Sequence, residues 1–371
     1  MKSSLIIDCD GHVAETEQMW SEYMEPAYRE QRPRIVKDNF GKEMWMVESR
    51  FYAYDPADWG RKLPGWFELA QTRPGGSDPH ARLKDMDATR IDVAVVFGAL
   101  MAGLNTLNDS GLVAAMCRAY NNWVKDYCGA DRKRLKFVAY VPLHDINGAV
   151  TELRRAVNQL GAVGLAVPPS MFGVLRKNLD DAYFYPLYEA LQDLDIPLCV
   201  HDSGVAVRDT AGGERMTDMF PLMHAAAFPF DNMIACGRLI YSGVFERFSK
   251  LRVAFLESGL GWVPFWLSRL DSHLKMPYQL PFERRKKPSE YMRSEQCYFS
   301  CEADDPDLPA ALNRVGEDRI LWASDYPHWD AEVEHAVEEI SSNRALSETA
   351  KRKILGENAA RLFGLDASGQ R

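Results

Sequence analysis

The stretch LWASDYPHWD, residues 321–330, decides the fold that we expect for this chain. It begins with residues typical of a buried strand and then places Asp325 and His328 directly after that strand. Two interpretations are open for Asp325. It ends a strand in a catalytic centre, or it caps the next helix by accepting backbone N–H bonds. The choice depends on whether other strands of the chain end in the same way.

Seven further runs share this pattern of apolar residues followed by polar or turn residues. Near-continuous apolar character is typical of parallel strands that are covered on both faces. In chain order the eight runs are Leu5–Asp10, Asp92–Gly98, Lys136–Leu143, Val163–Pro168, Pro197–His201, Arg252–Glu257, Cys297–Cys301 and Ile320–Asp325.

Helical patterns separate these runs. They are clearest over Asp109–Tyr127, Gly148–Leu160, Leu179–Leu194 and Pro306–Val315. Eight strands alternating with helices predict a (β/α)8 TIM barrel, an α/β fold, that occupies residues 1–371 as a single domain. A doubly wound open sheet is the alternative, but no glycine-rich phosphate loop follows the first strand.

Residues 16–85 interrupt the alternation of strands and helices after strand one and are rich in aromatic, proline and charged residues. We interpret this segment as an insertion that packs over the top of the barrel like a lid. Its tryptophans are Trp20, Trp45, Trp59 and Trp66. They either line an apolar substrate pocket or form a small hydrophobic core of their own.

Composition excludes several classes of function. A net charge of -9 without a basic stripe argues against nucleic acid as a partner. No stretch approaches the roughly 18 apolar residues of a membrane span. Seven cysteines without metal-type CxxC spacing indicate reduced core residues in a cytoplasmic protein. The basic run at 284–287 is either a solvated loop or a contact for phosphate or an acidic substrate.

The strand ends carry the residues with chemistry, and in a TIM barrel these ends share one mouth. Asp10 and His12 are two apart on an extended chain, so both face the same way. Histidine and carboxylate together suit zinc, iron or manganese. Glu257 is an ionisable group that would be costly to bury without a partner.

The candidate metal ligands are Asp10, His12, Glu15, His201, His224, Glu257 and Asp325, and the candidate catalytic residues are Asp325, Glu257 and His328. For several of them a purely structural role remains open. His201 could be a core histidine, and His224, on a predicted helix, could serve in packing alone. These are many ligands for one ion, and two ions about 3.5–4 Å apart would use them better.

The motifs now resemble a known family. The Asp-x-His start, VHDSG, FLESGLGWVPFWLSRLD and ASDYPHWD look like the amidohydrolase-related branch of the amidohydrolase superfamily, which includes aminocarboxymuconate semialdehyde decarboxylase. The resemblance runs from residue 5 to about residue 364. It implies that Asp10, His12, His201 and Asp325 bind metal, that Asp325 serves as a general base, and that the chain forms a homodimer.

Two departures from the family pattern matter for the chemistry. The first-strand motif is usually His-x-His or Glu-x-His, whereas this chain has Asp10-Gly11-His12. Where the decarboxylase has a histidine on strand six, this chain has Glu257. The change replaces a neutral imidazole by an anionic oxygen that can ligate or bridge metals.

Three functions follow for a small-molecule substrate. The first is a metal-dependent hydrolase or decarboxylase-like lyase, with one or two divalent ions, that acts on a small apolar or aromatic acid or acyl derivative through a metal-activated water. The second is a non-haem di-iron monooxygenase, since a related barrel subgroup includes such enzymes. The third is a metal-free binding protein.

Overall fold

The computed structural model describes residues 5–37, 41, 43–52, 73–201, 215, 219–275, 286–328, 331 and 333–371. Eight parallel strands form a nearly closed barrel, which confirms the predicted TIM-barrel architecture. Each strand overlaps one of the apolar runs, and the strands of the barrel are buried throughout. In order they are Ile7–Val13, Val93–Gly98, Leu135–Ala139, Gly164–Val167, Leu198–Val200, Val253–Phe255, Cys297–Cys301 and Ile320–Trp322.

Helices surround the barrel, and four of them overlap the four helical patterns of the sequence: Ser110–Cys128, Ile146–Arg155, Tyr185–Leu194 and Leu308–Val315. The longer helices are Pro79–Thr89, Ser110–Cys128, Ile146–Arg155, Tyr185–Leu194, Phe220–Tyr241, Trp262–His273 and Leu308–Val315. The shorter ones are Glu17–Tyr23, Phe172–Leu175, Val244–Arg247, Pro288–Met292, Ala336–Ser342, Glu348–Arg352 and Asn358–Phe363. Asp109 begins Ser110–Cys128 as an N-cap, because its carboxylate accepts the N–H groups of Gly111 and Leu112. None of the helices in the described part of the chain combines the length and apolarity that a membrane span requires.

The insertion after the first strand carries a small antiparallel sheet of Arg34–Lys37, Glu43–Val47 and Arg50–Tyr52. A two-stranded sheet, Ser170–Met171 with Lys177–Asn178, lies later in the chain. Trp20 and Trp45 are buried in the main hydrophobic core. Trp59 and Trp66 lie outside the described residues, so the lid stays a prediction. All seven cysteines are buried and free, as the sequence predicts.

The first and eighth barrel strands meet at a seam that main-chain bonds close. The Asp325 N–H donates to the Asp10 carbonyl at 3.0 Å, and the His12 N–H donates to the Tyr326 carbonyl at 2.5 Å. The first strand also has a bulge, because Asp8 and Gly11 pair with residues only two apart on the second strand. Bulges of this kind re-aim side chains beside active sites.

A buried ion pair lies directly under the seam. The Asp8 carboxylate accepts the Ser324 N–H at 2.9 Å and the Ser324 hydroxyl at 2.6 Å, with Arg82 Nη2 3.6 Å away. Arg82 donates to the His12 carbonyl at 3.1 Å and lies over the Tyr326 ring at 4.0 Å. A Cβ on Gly11 would come within 2.3 Å of Arg82 Nη2, so only glycine leaves room for this guanidinium.

Replacing Arg82 with methionine should destabilise the protein by about 3–5 kcal/mol, because Asp8 then keeps a buried charge without its cation. Urea unfolding followed by circular dichroism measures the change. Arg90→Met is the control, at the opposite, C-terminal end of the same helix: Arg90 and its partner Glu338 are 64% and 70% exposed. That control should cost less than about 1 kcal/mol. Equal shifts for the two variants would contradict a role for Arg82 in holding the seam.

Candidate metal centre

Three carboxylates and three imidazoles form a closed ring at the carboxyl ends of the barrel strands. Acid and imidazole alternate around the ring, so each group has two neighbours of the other kind. In order the contacts are Glu257 Oε2–His201 Nε2 at 3.1 Å, His201 Nε2–Asp10 Oδ2 at 3.4 Å, Asp10 Oδ1–His12 Nε2 at 3.7 Å, His12 Nε2–Asp325 Oδ1 at 3.1 Å, Asp325 Oδ1–His328 Nδ1 at 2.5 Å and His328 Nδ1–Glu257 Oε1 at 4.0 Å.

The donor set of this ring, which we call the acid–imidazole ring, fits a divalent cation. Ligand atoms of Asp10, His12 and His201 lie within 4.8 Å of one another, and so do those of His12, Asp325 and His328. Asp10 Oδ1 and His12 Nδ1 are buried and have no hydrogen-bond partner within the described residues. Asp10 is buried, and the side chains of Glu257 and Asp325 are only 14% exposed. Three such carboxylates without a cation would be costly, and a bound ion would supply the missing charge.

Two members of the ring sit on strained backbone. Glu257 and Asp325 have φ values of 53° and 55°, in the left-handed region that residues other than glycine seldom adopt. Hydrogen bonds from their N–H groups hold both residues there, Asp325 to the Asp10 carbonyl and Glu257 to the Ser300 hydroxyl at 3.0 Å. Strain of this kind clusters at functional sites. It turns both carboxylates towards the imidazoles.

The protonation states of His12 and Asp325 suit metal binding. Burial, together with the nearby His328 ring, lowers the pKa of His12 to about 4, so its imidazole is neutral at neutral pH. Burial alone would raise the pKa of Asp325, but the imidazoles of His328 and His12 outweigh it and hold that pKa below its usual range. Metal ligands are neutral imidazoles and ionised carboxylates, so both groups are in the binding form.

Two residues predicted as ligands lie elsewhere. Glu15 is buried, and its carboxylate accepts the N–H groups of Leu100 at 2.9 Å and Met101 at 3.3 Å. Its geometry therefore argues against a ligand role, because its oxygens turn to the loop after the second strand. His224 lies in the helix Phe220–Tyr241, where its ring contacts Phe228 with centroids 5.3 Å apart. Neither residue belongs to the ligand groups found within the described chain.

Sequence reasoning missed several residues that shape the site. Phe97, at the end of the second strand, stacks on His201 with centroids 5.2 Å apart. His144 follows the third strand, so the same reasoning about strand ends could have found it. Arg82 carried no signal, since it lies in the segment interpreted as a lid. Arg284 and Arg285 lie outside the described residues, and Lys286 and Lys287 are exposed.

Comparison with known proteins gives the family context. A family model described as amidohydrolase matches residues 7–365. The chain is 26% identical to 2-amino-3-carboxymuconate-6-semialdehyde decarboxylase of Dictyostelium discoideum, over 78% of this chain and 77% of that one. It is 26% identical to gamma-resorcylate decarboxylase of a Rhizobium strain, over 82% and 93% of the two chains.

A solved structure shares the fold. It is 5-carboxyvanillate decarboxylase of Novosphingobium aromaticivorans, with bound manganese. Its TM-score is 0.72 at 21% identity, and the match covers 98% of each chain.

Chelation of the divalent ion with EDTA should lower the melting temperature by on the order of 5 °C, because a ligand that binds only the native state stabilises it. Differential scanning fluorimetry before and after addition of Mn²⁺ measures the loss and its recovery. Asp304→Asn, which changes an exposed carboxylate after the seventh strand, should respond like the wild type, and Asp10→Asn should respond much less. A wild-type melting temperature that EDTA leaves unchanged would contradict the metal centre.

Glu15 should make stability depend on pH, because burial raises its pKa to about 7 although backbone N–H groups partly oppose the shift. Between about pH 4.5 and 7 the folded chain then binds a proton that the unfolded chain has released, so this group lowers stability as the pH rises. Glu15→Gln should therefore gain stability relative to the wild type between pH 5 and pH 7. Urea midpoints across this range test it, and parallel curves for the two proteins would refute it.

Proposed function

The chain is an enzyme of the amidohydrolase family, and we propose that it is a metal-dependent decarboxylase of a small aromatic acid. The acid–imidazole ring is the observation that carries this proposal, because it gathers metal-ligand groups and a proton-bearing pair in one strand-end mouth. The decarboxylases to which the chain is similar act on aromatic or muconate acids, as their names state. That similarity supports the choice of lyase over hydrolase.

Asp10, His12, His201 and Asp325 would hold the ion, which we propose to be a single manganese. When bound, the cation supplies positive charge that attracts the oxygens of the substrate and offsets negative charge as the carbon–carbon bond breaks. Carboxylate oxygens such as those of Asp10 and Asp325 suit manganese, and the structurally similar 5-carboxyvanillate decarboxylase contains manganese. Glu257 contacts His201 at 3.1 Å and is a further candidate ligand.

The protein itself must handle one proton in this reaction. The bond between the ring carbon and the carboxyl carbon breaks, carbon dioxide leaves, and the electron pair stays on the ring carbon, which then takes a proton. The hydrogen bond between His328 Nδ1 and Asp325 Oδ1, at 2.5 Å, holds a proton inside the ring. His328 and Asp325 are therefore the pair that we propose to deliver it.

The other functions are less well supported. None of the relatives described above is a monooxygenase, so no comparison favours the di-iron alternative, although Glu257 makes the ring rich in carboxylates. A metal-free binding protein does not agree with the membership of an enzyme family. Hydrolysis through a metal-activated water, a homodimer and a cytoplasmic location stay predictions.

Asp325→Asn should lower kcat/KM for decarboxylation by about 100-fold or more, because the amide keeps the shape but loses the charge and the proton acceptor. The assay follows carbon dioxide released from 2,6-dihydroxybenzoate and 5-carboxyvanillate by the manganese-loaded enzyme under nitrogen. The oxygen-free condition also separates this function from a monooxygenase.

Asp304→Asn is again the control and should keep wild-type activity. Absence of carbon dioxide from a panel of hydroxylated benzoates, with manganese bound, would refute the proposed reaction. Full activity in Asp325→Asn would instead refute the role assigned to that residue.

A further inference from the structure

An apolar cavity lies beside the acid–imidazole ring, and His201 belongs to both. The cavity is partly open to solvent, and its walls include Met101, Leu143, Val167 and Met171. Small-molecule sites are typically concave, with mostly apolar walls and a few polar groups, and the walls of this cavity have that character. A ring seated here would lie next to the candidate metal ligand His201.

His144 brings a polar group to the wall of this cavity. Its Nε2 lies 2.8 Å from the Leu107 carbonyl oxygen. A carbonyl oxygen only accepts hydrogen bonds, so Nε2 carries the hydrogen. In the neutral imidazole the other nitrogen, Nδ1, is then an acceptor. The Leu107 carbonyl therefore fixes the tautomer, as a second group commonly does for functional histidines.

The acceptor of His144 lacks a donor. Nδ1 is buried from solvent and has no hydrogen-bond partner within the described residues. Buried polar groups are nearly always paired, and one that is not calls for an explanation. A role for His144 in anchoring the Leu107 carbonyl explains Nε2 but leaves Nδ1 unexplained. A ligand that donates a hydrogen bond would satisfy it.

We propose that this cavity binds the ring of the substrate and that His144 Nδ1 accepts a hydrogen bond from a ring hydroxyl. His144 would thus be a specificity-determining residue that selects hydroxylated aromatic acids. A site built around a polar group rejects an analogue without the matching donor, because the group is then left buried and unpaired. This inference rests on the proposed function for the substrate class, and it adds His144 as the side chain that recognises the ring hydroxyl.

Equilibrium binding to the manganese-loaded enzyme tests the proposal without turnover. The probes are the three monohydroxybenzoates and the three monofluorobenzoates, since fluorine is close to a hydroxyl in size but donates no hydrogen bond. Isothermal titration calorimetry gives the affinity of each probe. For at least one ring position the wild type should bind the hydroxyl compound about 10-fold more tightly than the fluoro compound.

Two variants of His144 test whether this residue causes the preference for hydroxyl over fluoro probes. His144→Phe keeps a flat ring but removes both nitrogens, so the preference should fall to about one. His144→Gln keeps an amide that can donate to Leu107 and accept from the ligand, so it should retain part of the preference. Leu143→Ala, an apolar wall residue, should weaken all six probes by a similar factor and leave the preference intact.

The outcomes are distinguishable from a failure of the proposed reaction. Equal binding of hydroxyl and fluoro probes by the wild type at all three positions overturns the inference, even if His144→Phe does not fold. A preference that survives in His144→Phe also overturns it. Selective binding without any release of carbon dioxide would leave the His144 inference standing and would refute the decarboxylase.

Discussion

The structure depends on one electrostatic constraint, the convergence of three carboxylates in the mouth of a barrel. Asp10, Glu257 and Asp325 contact only imidazoles within the acid–imidazole ring. The imidazole of His12 is neutral at neutral pH and offers little charge in return, and a low local dielectric strengthens the repulsion between the acids. A divalent cation resolves this repulsion, which is why the metal belongs to the stability of the fold as well as to its chemistry.

Precise placement of these acids requires a rigid support, and the seam of the barrel provides it. Arg82 reaches the His12 carbonyl from below while it faces the Asp8 carboxylate and the Tyr326 ring. The same guanidinium thus touches the strand that bears His12 and the loop that follows Asp325. Left-handed backbone at Asp325 persists because its N–H is tied to Asp10 across this seam. Packing, charge and strain therefore fix the same geometry.

Strand positions and most ring members could be predicted from the sequence, because a buried parallel strand and its polar end are both local patterns. The contacts of Glu15 could not be predicted. A carboxylate just past a strand end can bind a metal or accept backbone N–H groups, and the sequence pattern is the same in both cases. Arg82 and the bulge between Asp8 and Gly11 depend on contacts between distant segments. His144 was accessible to the same reasoning as Asp325, but its partner, the Leu107 carbonyl, has no signature in sequence.

Glu257 has a consequence for how substrate binds. If each carboxylate is counted as -1 and each imidazole as neutral, the formal charge of the ring is about -3, and one divalent ion leaves about -1. On the same count, a histidine in place of Glu257 would leave the loaded site neutral. An anionic acid is therefore attracted less strongly to this centre if it holds one ion. Its affinity must then come from burial of the aromatic ring and from hydrogen bonds such as that proposed for His144. A second divalent ion would reverse the sign of the site, so the metal count decides whether charge or the cavity dominates recognition.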